Sequence, residues 1–418
     1  MAPEMRRTSF LFCLGLAVPA LLAGEKPRPS GVTVAAYYFP NYHTGDPRNA
    51  KTKGAGWSEW ELVKAARPRF PGHEQPRVPA WGYTDEKDPK VMARKIAAAA
   101  AHGLDVFIFD WYMYEDGPFL NRCLDEGFLE CGNAGDIRFA LMWANHDWLE
   151  IHPLARGATP KMLYPGRVSA GRFEEIGDEL VSRYFRRPNY WKIDGRAYFS
   201  VYDVQKFVEG FGSLPAARLA MKRLNDKARA AGLKGVHWNV VAWGEPVLPG
   251  ETVPADLPGI MRALEFDSAA SYVWVHHVPL PDLRTDYGWV RDRYFEHWDK
   301  ARAEYPIPYI PNVTVGWDSS PRCDPGSAWG NFGYPFTNTI GGNSPPELPE
   351  SPRAGPGQAL GRPPRAAHPH HQQLERVDRG QLSRTRHQEL DRLSRGHQAG
   401  LQVVRGLAPQ GRVLREML

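Results

Sequence analysis

Cysteine is scarce in this 418-residue chain, and its four cysteines do not form a disulfide framework. One of them, Cys13, lies in an apolar N-terminal segment, which leaves Cys123, Cys131 and Cys323. Cys123 and Cys131 either pair in an oxidising compartment or remain buried thiols. No cysteine and histidine spacing matches a zinc site, so we predict neither a metal nor another cofactor.

The N-terminal hydrophobic run is short. Residues 10–22 are apolar, which is too few for a membrane span. Arg6 and Arg7 precede this run, and small residues follow it. This pattern indicates a secretory signal peptide in residues 1–24, with a buried N-terminal helix as the alternative. We expect a secreted or periplasmic protein that has no membrane association after cleavage.

The C-terminal region lacks seven residue types. Residues 348–418 contain no Lys, Phe, Tyr, Trp, Ile, Asn or Cys, and Arg, Gln, Pro and Gly dominate. This composition predicts a disordered tail. The tail also distorts the net charge of +5, so we do not predict a nucleic-acid partner from that charge.

Between these ends, strand-like and helix-like segments alternate. Seven segments are predicted as strands: 32–39, 104–109, 138–143, 197–202, 236–243, 268–274 and 309–315. Five are predicted as helices: 89–102, 119–129, 173–185, 215–231 and 289–304. Repeated β-then-α units predict an α/β fold, a (β/α)8 TIM-type barrel over residues 30–347, with its site at the carboxyl ends of the strands. A doubly wound open sheet is the alternative, but no Gly-rich phosphate motif follows the first strand.

Polar and aromatic side chains follow several predicted strands. Asp110 ends the second strand and either orients a ligand hydroxyl or caps the next loop; Trp111 and Tyr112 are stacking candidates. Asn145 and Asp147 follow the third strand, with a turn role as the alternative for Asp147. Core packing is the competing role for every aromatic candidate.

Several longer motifs are distinctive. Residues 56–60 read Gly-Trp-Ser-Glu-Trp, and residues 70–76 read Phe-Pro-Gly-His-Glu-Gln-Pro. Together with Trp-Ala-Asn at 143–145, Gly-Trp-Asp at 316–318 and Tyr-Tyr-Phe-Pro at 37–40, they resemble the glycoside hydrolase family 99-like group, also called WbsX-like proteins. The resemblance runs from about residue 32 to 347 and departs at Asp110 and His146.

The resemblance implies a barrel that acts on glycosidic bonds and binds carbohydrate. Its motifs make substrate-binding candidates of Tyr38, Glu59, Trp60, Asn145, Trp317 and Asp318. Loop anchoring is the alternative for one of the rings of Trp57 and Trp60, and a surface ion pair with Arg322 is the alternative for Asp318. The resemblance also implies an eighth strand ending in Trp-Asn-Glu-Trp-Thr-Glu-Gly, whose two glutamates supply the acid and base of glycoside hydrolysis.

That eighth-strand motif is absent from the sequence. Reading residues 368–381 one base later permits the peptide Ile-Leu-Thr-Ile-Asn-Ser-Trp-Asn-Glu-Trp-Thr-Glu-Gly. We therefore hypothesise a frameshift, biological or from sequencing, at or shortly before Leu348, to be tested on the nucleotide sequence. The barrel would be incomplete, with two open sheet edges.

The sequence thus predicts a secreted carbohydrate-active protein of glycoside-hydrolase type, inactive as written because the catalytic glutamate pair is missing. The alternatives are a glycosyltransferase of polysaccharide biosynthesis and a non-catalytic glycan-binding protein. The sequence does not specify the sugar, the linkage or the oligomeric state.

Overall fold

The computed structural model describes residues 33–342 and, for the backbone alone, residues 402–405. All seven predicted strands are present. They are β1 (Val34–Tyr38), β2 (Val106–Tyr114), β3 (Arg138–Trp143), β4 (Arg196–Val201), β5 (Val236–Val241), β6 (Ser268–Ala270) and β7 (Tyr309–Ile310 with Asn312–Thr314). The gap in β7 falls at Pro311, which has no N–H to donate to a neighbouring strand.

The seven strands are parallel and pair in chain order from β1 to β7. In this register Tyr37 lies opposite Ile108, and Asp110 lies opposite Met142. The carboxyl ends of all seven strands therefore meet at one rim.

An antiparallel strand stands where a parallel eighth strand was expected. This strand, β8 (Gln402–Arg405), pairs with β1 on one side and with the second part of β7 on the other. The described residues contain no parallel eighth strand, as the prediction of an incomplete barrel requires; β8 instead pairs with the two edges that were expected to be open. The remainder of the predicted disordered tail lies outside the described residues, as does the predicted signal peptide.

Helices pack around the strands, and side-chain caps begin most of them. Asp88 accepts from the Lys90 amide at the start of α3, and Gly103 follows that helix with a positive φ of 87°. The α-helices are α1 (Pro47–Lys53), α2 (Trp60–Ala65), α3 (Pro89–Ala101), α4 (Ala170–Glu179), α5 (Val204–Phe211), α6 (Leu214–Ala230), α7 (Leu257–Leu264) and α8 (Tyr287–Glu304).

Shorter elements decorate the barrel. Two π-helical segments are Cys123–Phe128 and Leu180–Phe185, and the 3₁₀ turns are Ala134–Asp136, Trp274–His276 and Ser320–Arg322. The short strands are Gly117–Phe119, Trp148–Leu149, Met162–Tyr164, Lys192–Ile193, Arg284–Asp286 and Thr339–Gly341. In the described part of the chain, no helix has both the length and the apolar character to cross a membrane.

The main core surrounds β2, all nine residues of which are buried. On the helix side, Phe107 and Phe109 pack edge-on against Phe128 of the first π-helical segment. Cys123, Cys131 and Cys323 are buried free thiols, so the alternative of unpaired cysteines is the one observed.

Candidate functional site

A cleft opens at the carboxyl ends of the strands and holds about 970 Å³ of empty space. The loops after β3, β5 and β7 extend over it. Ten of its lining residues have aromatic rings: Phe39, Tyr112, His146, Trp148, His152, Tyr202, Tyr272, His276, Trp317 and Tyr334.

The alternation of β2 decides which of its side chains reach this cleft. Asp110 and Tyr112 lie on the barrel interior and line the cleft. Trp111 lies between them in sequence and therefore points to the opposite face, where it packs edge-on against Tyr184 and Phe199. The prediction that Trp111 faces the ligand is corrected by this geometry.

Asp110 is an unusual carboxyl group at the floor of the cleft. Its Oδ2 accepts a hydrogen bond of 2.7 Å from the Tyr272 hydroxyl, while its buried Oδ1 has no partner in residues 33–342. Burial raises the pKa of Asp110 to about 7, against the opposing effects of the Tyr272 hydrogen bond and the Arg322 charge. At neutral pH the carboxyl group is therefore present in both its protonated form, which can donate a hydrogen bond, and its ionised form, which only accepts.

Asp318, by contrast, has both oxygens engaged. Oδ2 lies 2.9 Å from His73 Nε2 and accepts from the Gln75 amide at 2.7 Å, and Oδ1 accepts from the Ser320 amide at 3.0 Å. Burial alone would raise the pKa of Asp318, but the bonds from His73 and Ser320 outweigh it and lower the pKa. The distinctive 70–76 motif thus holds an ionised carboxylate at the cleft.

Glu59 does not line the cleft; it contacts Arg322, which does. The prediction that Glu59 contacts the ligand is therefore corrected. Its Oε1 accepts from Arg322 Nε at 2.7 Å, and its Oε2 accepts from the Asn41 amide at 2.8 Å. Arg322 also donates to the Tyr334 hydroxyl and lies over the Phe39 ring. Glu59 therefore positions a cation that lines the cleft.

Arg69 organises the loop that carries Arg322. Its guanidinium donates to five backbone carbonyls, those of Ser320, Cys323, Asp324, Pro325 and Ser327. A single side chain from the loop after β1 thereby determines the path of the loop after β7.

Asp147 lines the cleft, as predicted, but its oxygens are also engaged. Oδ1 accepts from the Gly166 amide at 2.8 Å, and Oδ2 lies 3.2 Å from Lys206 Nζ. Gly166 packs so closely on Asn145 that an added Cβ would lie 2.2 Å from the Asn145 carbonyl oxygen. Asp147 therefore anchors the loop after β3.

Three other predicted ligand contacts lie elsewhere. Tyr38 points outward from β1 and donates to Glu86 at 2.9 Å. Trp60 donates to the Thr84 carbonyl and packs on Tyr42, which is the loop-anchoring alternative. Asn145 is fully buried and bonds both the amide and the carbonyl of Asp203. The predictions for Tyr38, Trp60 and Asn145 are corrected accordingly.

Trp317 lines the cleft, and its indole donates to Thr337 at 2.8 Å. Asp110, Tyr112, Asp147, Trp317 and Asp318 are therefore the predicted residues that the structure brings together around one cavity. Their binding of substrate stays a prediction.

Sequence reasoning missed a second buried carboxyl group beside the cleft. Glu251 accepts from the Tyr202 hydroxyl at 2.6 Å and from the amides of Val247 and Leu248 at 2.7 and 2.8 Å. Burial raises the pKa of Glu251 to about 7 against these bonds. His276 Nε2 lies 3.7 Å from Glu251, and its buried Nδ1 is without a partner in residues 33–342. No motif marks Glu251, because its role depends on a tertiary contact.

Within residues 33–342, no group of three or more His, Cys, Asp or Glu side chains is arranged to hold a metal ion.

Two curated relatives resemble the chain. Both are called Uncharacterized protein WxcX and come from Xanthomonas campestris pv. campestris, strains B100 and ATCC 33913. Each is 26% identical, over 310 and 309 residues respectively, which is 71% of this chain. The chain spans only 40% of the length of these relatives.

Solved structures with a similar course of the chain include the GH99 endo-alpha-mannosidase from Bacteroides thetaiotaomicron. It is 14% identical, with a TM-score of 0.41, and the match covers 69% of this chain and 73% of that one. A second is a glycoside hydrolase-like protein, also 14% identical with a TM-score of 0.41, covering 73% and 78% of the two chains.

A match to a protein-family model assigns the chain to a family. The profile described as Glycosyltransferase WbsX matches residues 34–328, which span β1 to β7 and every loop that lines the cleft up to Arg322. The chain belongs to the WbsX family.

Proposed function

We propose that this protein is a carbohydrate-active protein of glycoside-hydrolase type, with a glycan held in the cleft at the carboxyl ends of the strands. The observation that carries this proposal is the buried Oδ1 of Asp110, which has no partner in residues 33–342 and belongs to a cleft that the rings of Tyr112 and Tyr272 also line. Sugars present hydroxyl groups around apolar ring faces. A cleft that is lined by a free polar atom and by flat rings is suited to both features.

Cleavage of a glycosidic bond requires two carboxyl groups with different protonation states. Asp110, with its raised pKa, is suited to donate a proton. Asp147 and Asp318, the other carboxylates that line the cleft, have their oxygens engaged by protein donors. We therefore propose that the chain as written binds glycan without turnover, and that a frame-restored chain with the Trp-Asn-Glu-Trp-Thr-Glu-Gly motif cleaves it.

Isothermal titration of the full chain with mannose-containing and other oligosaccharides tests binding. Asp110→Ala should abolish measurable binding, because it removes the free acceptor at the floor. Asp116→Ala is the matched control, since Asp116 has a side chain 67% exposed and lies in the turn after β2. Equal affinities of the Asp110→Ala variant and the unchanged protein would refute the proposed site.

Turnover is tested by assaying the chain and its frame-restored form on the same polysaccharides. We expect reducing ends only from the restored form. Release by the present chain at the same rate would show that the glutamate motif is dispensable.

A second candidate function, glycosyl transfer, is favoured by the name of the matching family. It predicts that product forms only when a nucleotide-sugar donor is added. Secretion, proposed from residues 1–24, is tested by cell fractionation and by sequencing the N-terminus of the exported protein.

A further inference from the structure

One wall of the cleft is apolar, unlike its floor. Side chains from three loops, those after β3, β5 and β7, pack against one another there in a small cluster separate from the main core. The members that also line the cleft are Leu149, Ile151, Val247, Leu248, Trp317 and Tyr334.

Two backbone amides of this wall are engaged by a buried carboxyl group. The amides of Val247 and Leu248 both donate to Glu251 Oε2, and Glu251 is itself held by the Tyr202 hydroxyl. The loop after β5 therefore presents the side chains of Val247 and Leu248 to a ligand and has no free amide at these two positions. Because Glu251 is buried, this orientation is fixed by internal contacts.

The Trp317 ring is fixed in a similar way. Its indole nitrogen donates to Thr337, so the ring offers carbon atoms to the cleft. A ligand hydroxyl directed at the side chains of Val247 and Leu248 or at the Trp317 ring would lose its water without gaining a partner, which costs free energy. At the floor, Asp110 Oδ1 has no partner in residues 33–342, so a ligand group placed there has to supply a hydrogen bond.

We propose that the cleft selects sugars that carry a methyl group on the side facing this wall, as in 6-deoxyhexoses or O-methylated hexoses, while a ring hydroxyl bonds Asp110. This inference rests on the proposed glycan binding and specifies its substrate class. The apolar cluster and the polar floor together would hold one such residue in a single orientation.

The experiment compares matched ligands on the full chain by NMR titration. The free sugar L-rhamnose is paired with L-mannose, and L-fucose with L-galactose; a 6-O-methyl form of each hexose is added. We expect methyl-bearing members to bind at least about fourfold more tightly, the factor that about 0.8 kcal/mol for a buried CH₂ gives. A preference for the O-methyl forms over the deoxy sugars would identify which source of the methyl group is recognised.

Two isosteric variants test the wall itself. Val247→Thr and Leu248→Asn should reduce the ratio of the affinities for each matched pair to about one. Leu219→Asn is the control, because Leu219 on α6 is 49% exposed and does not line the cleft. Using two variants keeps the test valid if one of them fails to fold by circular dichroism.

The outcomes separate the two proposals. Equal binding of the matched ligands, or a preference that survives both variants, would overturn the methyl-group inference and leave glycan binding intact. Absence of binding for every sugar would refute the proposed function itself.

Discussion

The two sides of the cleft differ in how many hydrogen-bond donors they supply to their carboxyl groups. On the side built by the loops after β1 and β7, Glu59 and Asp318 have several donors each. On the other side, Asp110 has one donor and His276 also lines the cleft; within residues 33–342, Asp110 Oδ1 and His276 Nδ1 are without a hydrogen-bond partner. The pKa of Asp318 is lowered, and that of Asp110 is raised to about 7.

Asp110 is buried and the side chain of Asp318 is only 12% exposed, so burial alone does not explain the difference. The number of donors that the fold supplies decides whether the charged form is stable. The side with complete hydrogen bonding maintains the shape of the cleft. The side with free polar atoms is the one on which a ligand can supply the missing partners.

The largest expected effect on stability comes from removing Glu59 from the side of the cleft whose carboxyl groups have complete hydrogen bonding. Glu59→Ala leaves Arg322, whose side chain is 17% exposed, without its buried carboxylate and should lower the free energy of unfolding by about 3–5 kcal/mol. Denaturant unfolding followed by tryptophan fluorescence measures this loss. Glu61→Ala is the control, because the exposed Glu61–Lys64 pair should contribute less than about 1 kcal/mol. A loss as small as that of the control would show that Glu59 does not anchor Arg322.

A second prediction concerns the incomplete side and its pH dependence. The pKa of Asp110 is about 7 in the folded protein instead of 3.8. Between these values the folded state binds more protons than the unfolded chain, so stability falls as pH rises. Asp110→Asn keeps an acceptor for Tyr272 but does not ionise. The variant should be more stable at pH ~8, by up to about 4 kcal/mol, and nearly unchanged at pH ~4.

Thermal unfolding of both proteins over this pH range measures the difference. Glu251, whose pKa is also raised to about 7, contributes the same trend to both proteins and cancels in the comparison. Parallel stability curves for the two proteins would contradict the assignment to Asp110.

The smallest effect is expected when one donor is removed from the complete side. Gln75→Leu leaves Asp318 Oδ2 with His73 alone and should cost about 1–3 kcal/mol of unfolding free energy at neutral pH. Because the pKa of Asp318 is lowered in the folded state, its stabilising contribution is lost as pH falls through that pKa. The cost of the substitution should therefore shrink on acidification. Glu74→Gln, at an exposed neighbouring position, should show neither effect.

The sequence predicted the strands well because each is a short apolar run followed by a polar or aromatic loop. All seven segments are strands in the structure, and five predicted helices lie where helical segments are found. The direction in which individual side chains point was predicted less well. Strand alternation already excludes that Asp110, Trp111 and Tyr112 all point into one cleft, and this signal was present in the sequence.

Other parts of the site could not be predicted from local patterns. Glu251 acquires its role by reaching Tyr202 and two amides of its own loop, and these contacts exist only after folding. The pairing of β8 with β1 and β7 could not be anticipated either, because the backbone ladder places few demands on side-chain identity.

The hydrogen bonds that hold the loops after β1 and β7 together join residues that are far apart along the chain. His73 and Asp318 are separated by 245 positions, Glu59 and Arg322 by 263, and Arg69 reaches carbonyls up to 258 positions away. Such contacts form late in folding, because chain entropy is lost before the contact is gained. At ribosomal speeds, the loop after β1 waits roughly ten to fifty seconds for its partners to be synthesised. A nascent chain that has reached β6 already contains the floor of the cleft but still lacks the residues that give the cleft its shape.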